Sequence, residues 1–374
     1  MRVSLTTIVR EWGRIGCIGF GGPPTHIALL RDLCVRKRGW LTERDFEDAI
    51  AACNLLPGPA STQLAIYCAW RLRGRLGGLV GGVAFIVPGL TLIIGLAAVF
   101  LASAPPRWVL GAGAGAGAAV AAVAVRAGAS LAPGSWARVI SAGRLRWIAY
   151  AVAGAAAAAL VGAWVVLVLL VCGAIELLIQ RGSTAAFFPL FAAAPAGGLL
   201  ALVWVAFKVG ALSYGGGFVI VPLMQADAVS HYHWMTAAQF LNAVALGQVT
   251  PGPVVQTVAV VGYAARGIGG AILAALVAFT PSFAFILVGG DRFDRIRKDA
   301  RARAFLDGAG PAAIGAIVGA AVPLARAMHE NWQFGVLAAA AVVLLLLRRS
   351  IVVTLLLAGA VGVIAALAGA PLRH

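Results

Sequence analysis

Asn54-Leu55-Leu56-Pro57-Gly58-Pro59 breaks an apolar stretch of about 47 to 70, and Gln248-Val249-Thr250-Pro251-Gly252-Pro253 breaks a second one of about 239 to 263. A proline inside a helix removes a backbone donor and clashes with the turn before it, so each triplet ends one helix and starts another. Outward from the triplets the chain repeats itself at an offset of 194, which falls to 193 after a one-residue slip. Gly16, Gly21 and Gly22 fall on Gly210, Gly215 and Gly216, and Trp40, Thr42 and Phe46 fall on Trp234, Thr236 and Phe240. Beyond the slip, Gln63, Arg73, Gly74, Gly77 and Pro88 fall on Gln256, Arg266, Gly267, Gly270 and Pro281. Glycine matches alone are cheap in so Gly-rich a chain; tryptophans, glutamines and both triplets in one order are not.

The repeat divides the chain into residues 1–190 and 191–374. Each half reads as apolar segments of helical length: about 5 to 30, 47 to 70, 76 to 103, 108 to 132 and 147 to 180, then about 199 to 224, 239 to 263, 269 to 290, 304 to 328 and 332 to 371. The last segment of each half is long, and whether it crosses once or twice stays open; Arg348-Arg349 divides the final one. Hydrophobic residues make up 61% of the 374, charged residues 11%, and mean hydropathy is +0.96, so the bilayer is the expected solvent. The net charge of +16 lies mainly in short loops between apolar segments, which argues for membrane orientation and against a nucleic-acid partner.

The loop after the first segment carries Arg31, Arg36, Lys37, Arg38 and Arg44, whereas its counterpart at 225 to 238 carries no Lys or Arg. After the third segment the bias reverses: Arg107 alone in the first half, but Arg292, Arg295, Arg297, Lys298, Arg301 and Arg303 in the second. By the positive-inside rule the halves face opposite ways. Basic loops also flank both sides of the first Pro-Gly-Pro segment, at 31 to 44 and 71 to 75. A single crossing helix does not produce that; a re-entrant segment with the triplet at its tip does, where the broken backbone is buried or lines a cavity. The expected fold is therefore an all-α polytopic integral membrane protein with two homologous halves as an inverted repeat and Gly/Pro-broken or re-entrant helices, a design associated with transport about a midplane site.

A second pair of breaks is Gly19-Phe20-Gly21-Gly22-Pro23-Pro24-Thr25, matched by Ser213-Tyr214-Gly215-Gly216-Gly217-Phe218. Glycines let backbone N–H groups approach a ligand, and a helix starting after them points its positive end there. Four such breaks can bring helix N-termini together on an anion. Arg14 aligns with Lys208, a basic position in both halves within apolar sequence, which reads equally as a site cation or as a side chain reaching an interface. Asn54, Gln63, Gln248, Gln256, Thr25, Ser213 and Tyr214 offer neutral donors, which suit an anion that must leave again; ordinary core hydrogen bonding is the alternative. The candidate substrate-binding residues are thus Arg14, Gly21, Gly22, Thr25, Asn54, Pro57, Gly58, Pro59, Gln63, Lys208, Ser213, Tyr214, Gly215, Gly216, Gly217, Gln248, Pro251, Gly252, Pro253 and Gln256.

Across nearly its whole length the chain resembles the chromate transporter family in its long, two-domain form. Gly-Phe-Gly-Gly-Pro at 19 to 23, Asn-Leu-Leu-Pro-Gly-Pro at 54 to 59, Tyr-Gly-Gly-Gly at 214 to 217 and Pro-Gly-Pro at 251 to 253 carry the resemblance. It implies a multi-pass carrier of the inner (plasma) membrane that exports chromate with the proton gradient and confers chromate resistance. The halves differ, with Pro23 opposite Gly217 and Asn54 opposite Gln248, so they need not contribute equally. The motifs do not separate chromate from sulfate, another tetrahedral dianion.

Glu11, His26, Asp32, Asp227 and Glu330 are the titratable candidates for coupling; none recurs in both halves, and His26 and Asp32 read as ordinary interfacial residues rather than as a relay. Cys17, Cys34, Cys53, Cys68 and Cys172 form no metal or redox motif, no cofactor or metal is expected, and no removable signal peptide is read at the start. An embedded enzyme would need a nucleophile with its base or a metal cluster, and five His without His-Glu-x-x-His or Gly-x-Ser-x-Gly patterns argue against it. A purely structural or receptor-like protein leaves the paired breaks unexplained. Trp40, Trp108 and Trp234 near segment ends fit interfacial anchoring. The expected partners are the anion, the lipid bilayer and, as oligomer, a second copy forming a homodimer.

Overall fold

A computed structural model describes residues 3–54, 56, 58–137, 139, 143–162, 165–181, 197–213, 220–289 and 299–372. All regular elements among these are helical. The first half contributes α1 (Leu5–Ile18), α2 (Pro23–Arg31), α3 (Glu43–Cys53), α4 (Ala60–Phe100), α5 (Arg107–Trp136), α6 (Arg144–Leu160) and α7 (Val165–Arg181). The second contributes α8 (Gly198–Leu212), α9 (Ile220–Gln225), α10 (Ala237–Val249), α11 (Thr257–Gly289), α12 (Ala300–Gly319), α13 (Ala321–Arg326), α14 (Asn331–Ala341) and α15 (Ile351–Leu367). The long last segment of each half is thus two helices, α6 with α7 and α14 with α15.

The duplication is repeated in backbone detail. A π-helical turn follows α2 at Asp32–Lys37 and recurs at Ala226–His231, the 194 offset. Both turns close alike: the Trp40 N–H donates to the Cys34 carbonyl at 2.7 Å, and the Trp234 N–H to the Ala228 carbonyl at 2.8 Å. The next helix is capped by a threonine in each case, Thr42 accepting from the Asp45 N–H and Thr236 from the Gln239 N–H, both at 3.1 Å. The two longest helices then break at one equivalent place. Arg73 (φ −145, ψ 22) and Gly74 (φ 63, ψ −157) interrupt α4, and Arg266 (φ −152, ψ 30) and Gly267 (φ 60, ψ −153) interrupt α11. Only glycine takes the positive φ of that break at low cost.

These breaks limit what the Pro-Gly-Pro segments can do. Before its break α4 has 13 residues, Ala60 to Leu72, about 20 Å of helix, and α3 has 11 residues, about 16 Å. Neither arm spans the roughly 30 Å hydrocarbon core alone, in keeping with a hairpin-like segment around the triplet. Among the described residues, four helical runs are long and apolar enough to cross: Ala60–Phe100, Arg107–Trp136, Val254–Gly289 and Ala300–Arg326.

The contacts divide the chain into two compact units that interleave the halves: Met1–Ala97, Val205–Gly217 and Leu246–Asp299 in one, and Ala98–Trp204, Phe218–Ala245 and Ala300–His374 in the other. In the second unit the halves exchange partners. First-half α6 and α7 pack on second-half α12, while second-half α14 and α15 pack on first-half α5. Small residues allow it. A Cβ on Gly315 or Gly319 would run into the backbone carbonyl of Ala151 or Ala155 on α6, and one on Gly308 into that of Cys172 on α7. On the other side Gly111 and Gly115 of α5 meet the backbone of Gly362 and Ala358 on α15. Backbone-to-backbone approach of this kind is how helices associate where lipid removes the hydrophobic drive. Such reciprocal exchange is what two-fold-related halves generate; with the opposite charge bias at equivalent loops, the chain reads as an inverted repeat.

An ionic group ties this unit laterally. Arg146 holds Glu176 through Nε and Nη2, each at 3.0 Å, and Tyr150 Oη and Gln180 Nε2 donate to the same carboxylate at 2.9 Å. With these donors placed on it, a buried carboxylate joining α6 and α7 is compensated rather than stranded.

Candidate functional site

The first unit holds the Pro-Gly-Pro turns of both halves and the first Gly-rich motif. Gly58 (φ 121) and Gly252 (φ 104) sit at the centres of the two triplets in a backbone region that L side chains rarely enter. The Gly252 N–H donates to the Gly19 carbonyl at 3.0 Å, so the second-half triplet is hydrogen-bonded to the first-half Gly-rich motif. Gln256 extends this crossing: its Nε2 donates to the Ile86 carbonyl of α4 at 2.8 Å. Gly89, one residue after Pro88, lies directly against the Pro251 carbonyl and leaves no space for a side chain. In the reciprocal arrangement, Ser282, one residue after Pro281 in α11, lies against Gly58.

The Gly19 carbonyl has a second partner. His26 on α2 is fully buried; its Nε2 donates to that carbonyl at 2.9 Å, so in the neutral ring Nδ1 accepts from the Ser61 hydroxyl at 3.2 Å. The ring also stands edge-on to Phe85, 5.0 Å between centroids. His26 therefore joins the first Gly-rich motif to the first turn of α4, immediately after Pro59. The reading of His26 as an interfacial residue gives way here: it is part of the core of this crossing.

Several buried polar atoms of the first unit lack partners. Thr62 Oγ1, Ser213 Oγ, Gln248 Nε2, Gln256 Oε1 and Ser282 Oγ have no hydrogen-bond partner among the described residues. All five residues are buried, and all belong to the first unit. An unsatisfied buried donor or acceptor costs about 1–3 kcal/mol, so these five are candidates for contact with a polar ligand. Four of them, Thr62, Ser213, Gln248 and Ser282, offer donors, the chemistry an oxyanion needs.

The sequence-based candidates fall into groups. Gly58, Pro59, Gln63, Gln248, Pro251, Gly252, Pro253 and Gln256 are buried at or next to the turns, Ser213 is buried directly after α8, and Gly22 is buried against Val254. Thr25 is half-buried, with its Oγ1 beside Gly21. Asn54 is exposed at the C-cap of α3, Arg14 is exposed on α1, and Lys208 is half-buried on α8. Pro57, Tyr214, Gly215, Gly216 and Gly217 lie outside the described residues. Sequence reasoning did not single out Ser61, Thr62, Gly89 or Ser282. The one available signal was positional, since 89 and 282 directly follow the aligned prolines.

A cavity of about 610 Å³ lies in the second unit, lined in part by Arg107, Gln239, Asn242, His329, Glu330 and Gln333. Its polar groups serve helix ends: Glu330 and Gln333 form a capping box at α14, and Arg107 donates to the Ala370 carbonyl at 3.3 Å. The first unit is the better candidate for anion chemistry.

The sequence profile of chromate transporters matches residues 6–177 and 200–363, one match in each half. This chain belongs to the chromate transporter family. Among the family's members, the chromate transport protein of Cupriavidus metallidurans is 31% identical over 338 residues, 86% of this chain and 83% of that protein. The chromate transport protein of Pseudomonas aeruginosa is 30% identical over 347 residues, 88% of this chain and 83% of that one. An uncharacterised transporter of Bacillus subtilis shares 40% identity over 85 residues, 23% of this chain and 43% of its own length. No solved structure matches the chain. Membership of this transporter family and the long apolar helices together make it an integral membrane protein.

Proposed function

We propose that this chain carries chromate out of the cytoplasm across the inner membrane, as a carrier and not an enzyme, with the two repeats 1–190 and 191–374 acting as a pseudo-symmetric pair. The observation that carries this reading is the pair of Pro-Gly-Pro turns in the first unit, which also holds buried polar atoms with no hydrogen-bond partner among the described residues. A dianion there is met by N–H groups of the first helical turns and by hydroxyl and amide hydrogens, which bind without adding a fixed charge. Tight binding by buried cations would trap the substrate, while several weaker donors let it leave. Rocking of the helices that meet at the crossing would expose the site to either side in turn, and the proton gradient would supply the energy. Sulfate fits the same donors by shape and charge and is the alternative substrate.

Arg14 and Lys208 belong to this reading as cations that draw the anion to the site rather than bind it, because Arg14 is exposed. In a chromate-sensitive host, the wild-type chain should lower cellular chromium, and Arg14→Ala with Lys208→Ala should weaken the effect about threefold to tenfold, most at low ionic strength. Unchanged cellular chromium with the wild-type chain, together with altered sulfate accumulation, would move the assignment to a sulfate carrier.

A further inference from the structure

Loops of one kind meet in the second unit. Residues 101–107, 225–238 and 327–331 carry one Lys or Arg between them, Arg107, against five in 31–44 and six in 292–303. The positive-inside rule puts such basic-poor loops on the outer side of the membrane. The cavity of about 610 Å³ lies among them: residues 101–107 and 327–330 contribute to its wall, as does the start of α10, which follows 225–238. Arg107 therefore stands in that wall against the charge bias of its side.

Its charge is not neutralised there. Arg107 is exposed and donates through Nη2 to the Ala370 carbonyl at 3.3 Å, and among the described residues its guanidinium has no carboxylate partner, so further N–H groups can meet a ligand. Glu330 is the acidic residue of the wall, and its carboxylate is turned to its own helix, where it accepts from a backbone N–H in the capping box of α14. The positive end of that helix offsets its charge. The Asn242 carboxamide is the second polar group. A Cβ on Gly113 of α5 would stand 2.7 Å from Asn242 Nδ2, and one on Gly117 3.3 Å from Asn242 Oδ1, so glycine makes room for the amide. Gly111 and Gly115 are the glycines that pack on α15, and that contact does not account for Gly113. Among the described residues Asn242 makes no hydrogen bond, although it is half-buried beside Leu110 and Leu241. An amide in such surroundings is satisfied by a polar ligand or water in the cavity.

We propose that this cavity is a second anion site, on the outer side, where the exported tetrahedral dianion is held before release, Arg107 supplying the charge and Asn242 Nδ2 a directed donor. A guanidinium in contact with water attracts the anion without trapping it, as an exit site requires. The inference rests on the anion-carrier reading above and adds a site to it.

The test compares the two faces of the membrane, since right-side-out vesicles expose the outer one and everted vesicles the inner one. Exchange of radiolabelled chromate and, separately, of sulfate is measured against concentration for wild type, Arg107→Gln, Asn242→Ala and Arg349→Gln. The half-saturating concentration does not depend on how much protein reaches the membrane. Arg107→Gln and Asn242→Ala should each raise it about tenfold at the outer face, the loss of a hydrogen bond to a charged ligand, and leave the inner-face value unchanged. Arg349→Gln, which removes an exposed charge elsewhere, should match wild type at both faces. Equal shifts at both faces in the two cavity variants, or none at either, would overturn the outer site and leave the carrier reading standing. Wild-type vesicles that exchange neither anion would overturn both.

Discussion

Gly89→Ala will abolish the lowering of cellular chromium by this chain, returning cells to the level of an empty-vector control. The added methyl group has nowhere to go: it meets the Pro251 carbonyl directly and Gln256 Oε1 at 2.6 Å. One of these is backbone, held by its own turn, so the side chain cannot rotate away. Relief requires the second triplet to lift from α4, which strains the Gly252 to Gly19 and Gln256 to Ile86 hydrogen bonds. Overpacking of this kind costs about 1–3 kcal/mol, and two strained hydrogen bonds add about 1 kcal/mol each. Gly95→Ala on the same helix is the control: nothing lies within 4 Å of its Cβ position, and export should be kept. Chromium measured in cells with matched membrane levels of the two variants checks the contrast; near-normal export by Gly89→Ala would show that the turn and α4 need not touch.

Gly315→Leu should prevent stable assembly of the second unit. Here the obstacle is the Ala151 carbonyl of α6, and Gly319 against Ala155 lies one turn further along the same face. A leucine would separate α12 from α6 at its centre, at a cost of about 3 kcal/mol or more, because contacts to either side are lost as well. Gly95→Leu on α4 is the matched control: Gly95 is exposed, nothing lies within 4 Å of its Cβ position, and added apolar surface facing lipid is tolerated. The yield of monodisperse protein after extraction, with its unfolding temperature, distinguishes them. Equal behaviour of the two would mean that close approach of α6 and α12 does not hold the unit together.

Much of this architecture is legible in sequence because it is written locally. Proline, positive-φ glycine and capping threonine act within a few residues, so the triplets, the Arg73-Gly74 and Arg266-Gly267 breaks and the paired caps at Thr42 and Thr236 appear both in the repeat and in the backbone. The division of each long last segment stays open in the sequence because apolar length does not say where a helix ends; α6 ends at Leu160 and α7 starts at Val165, and the second division falls around Arg348, whose φ is 53. The site was less legible. Its decisive contacts, Gly89 to Pro251 and Ser282 to Gly58, join residues more than 150 positions apart, and no periodicity records such a meeting. Arg14 drew attention as a paired basic residue, but charge matching carries no information on which way a side chain faces.

Transport itself is the most direct test. Everted membrane vesicles containing the chain should accumulate radiolabelled chromate when energised, lose it on uncoupling, and do neither when the chain carries Gly89→Ala. No accumulation above empty vesicles, with sulfate moving in its place, would contradict chromate export through the crossed turns.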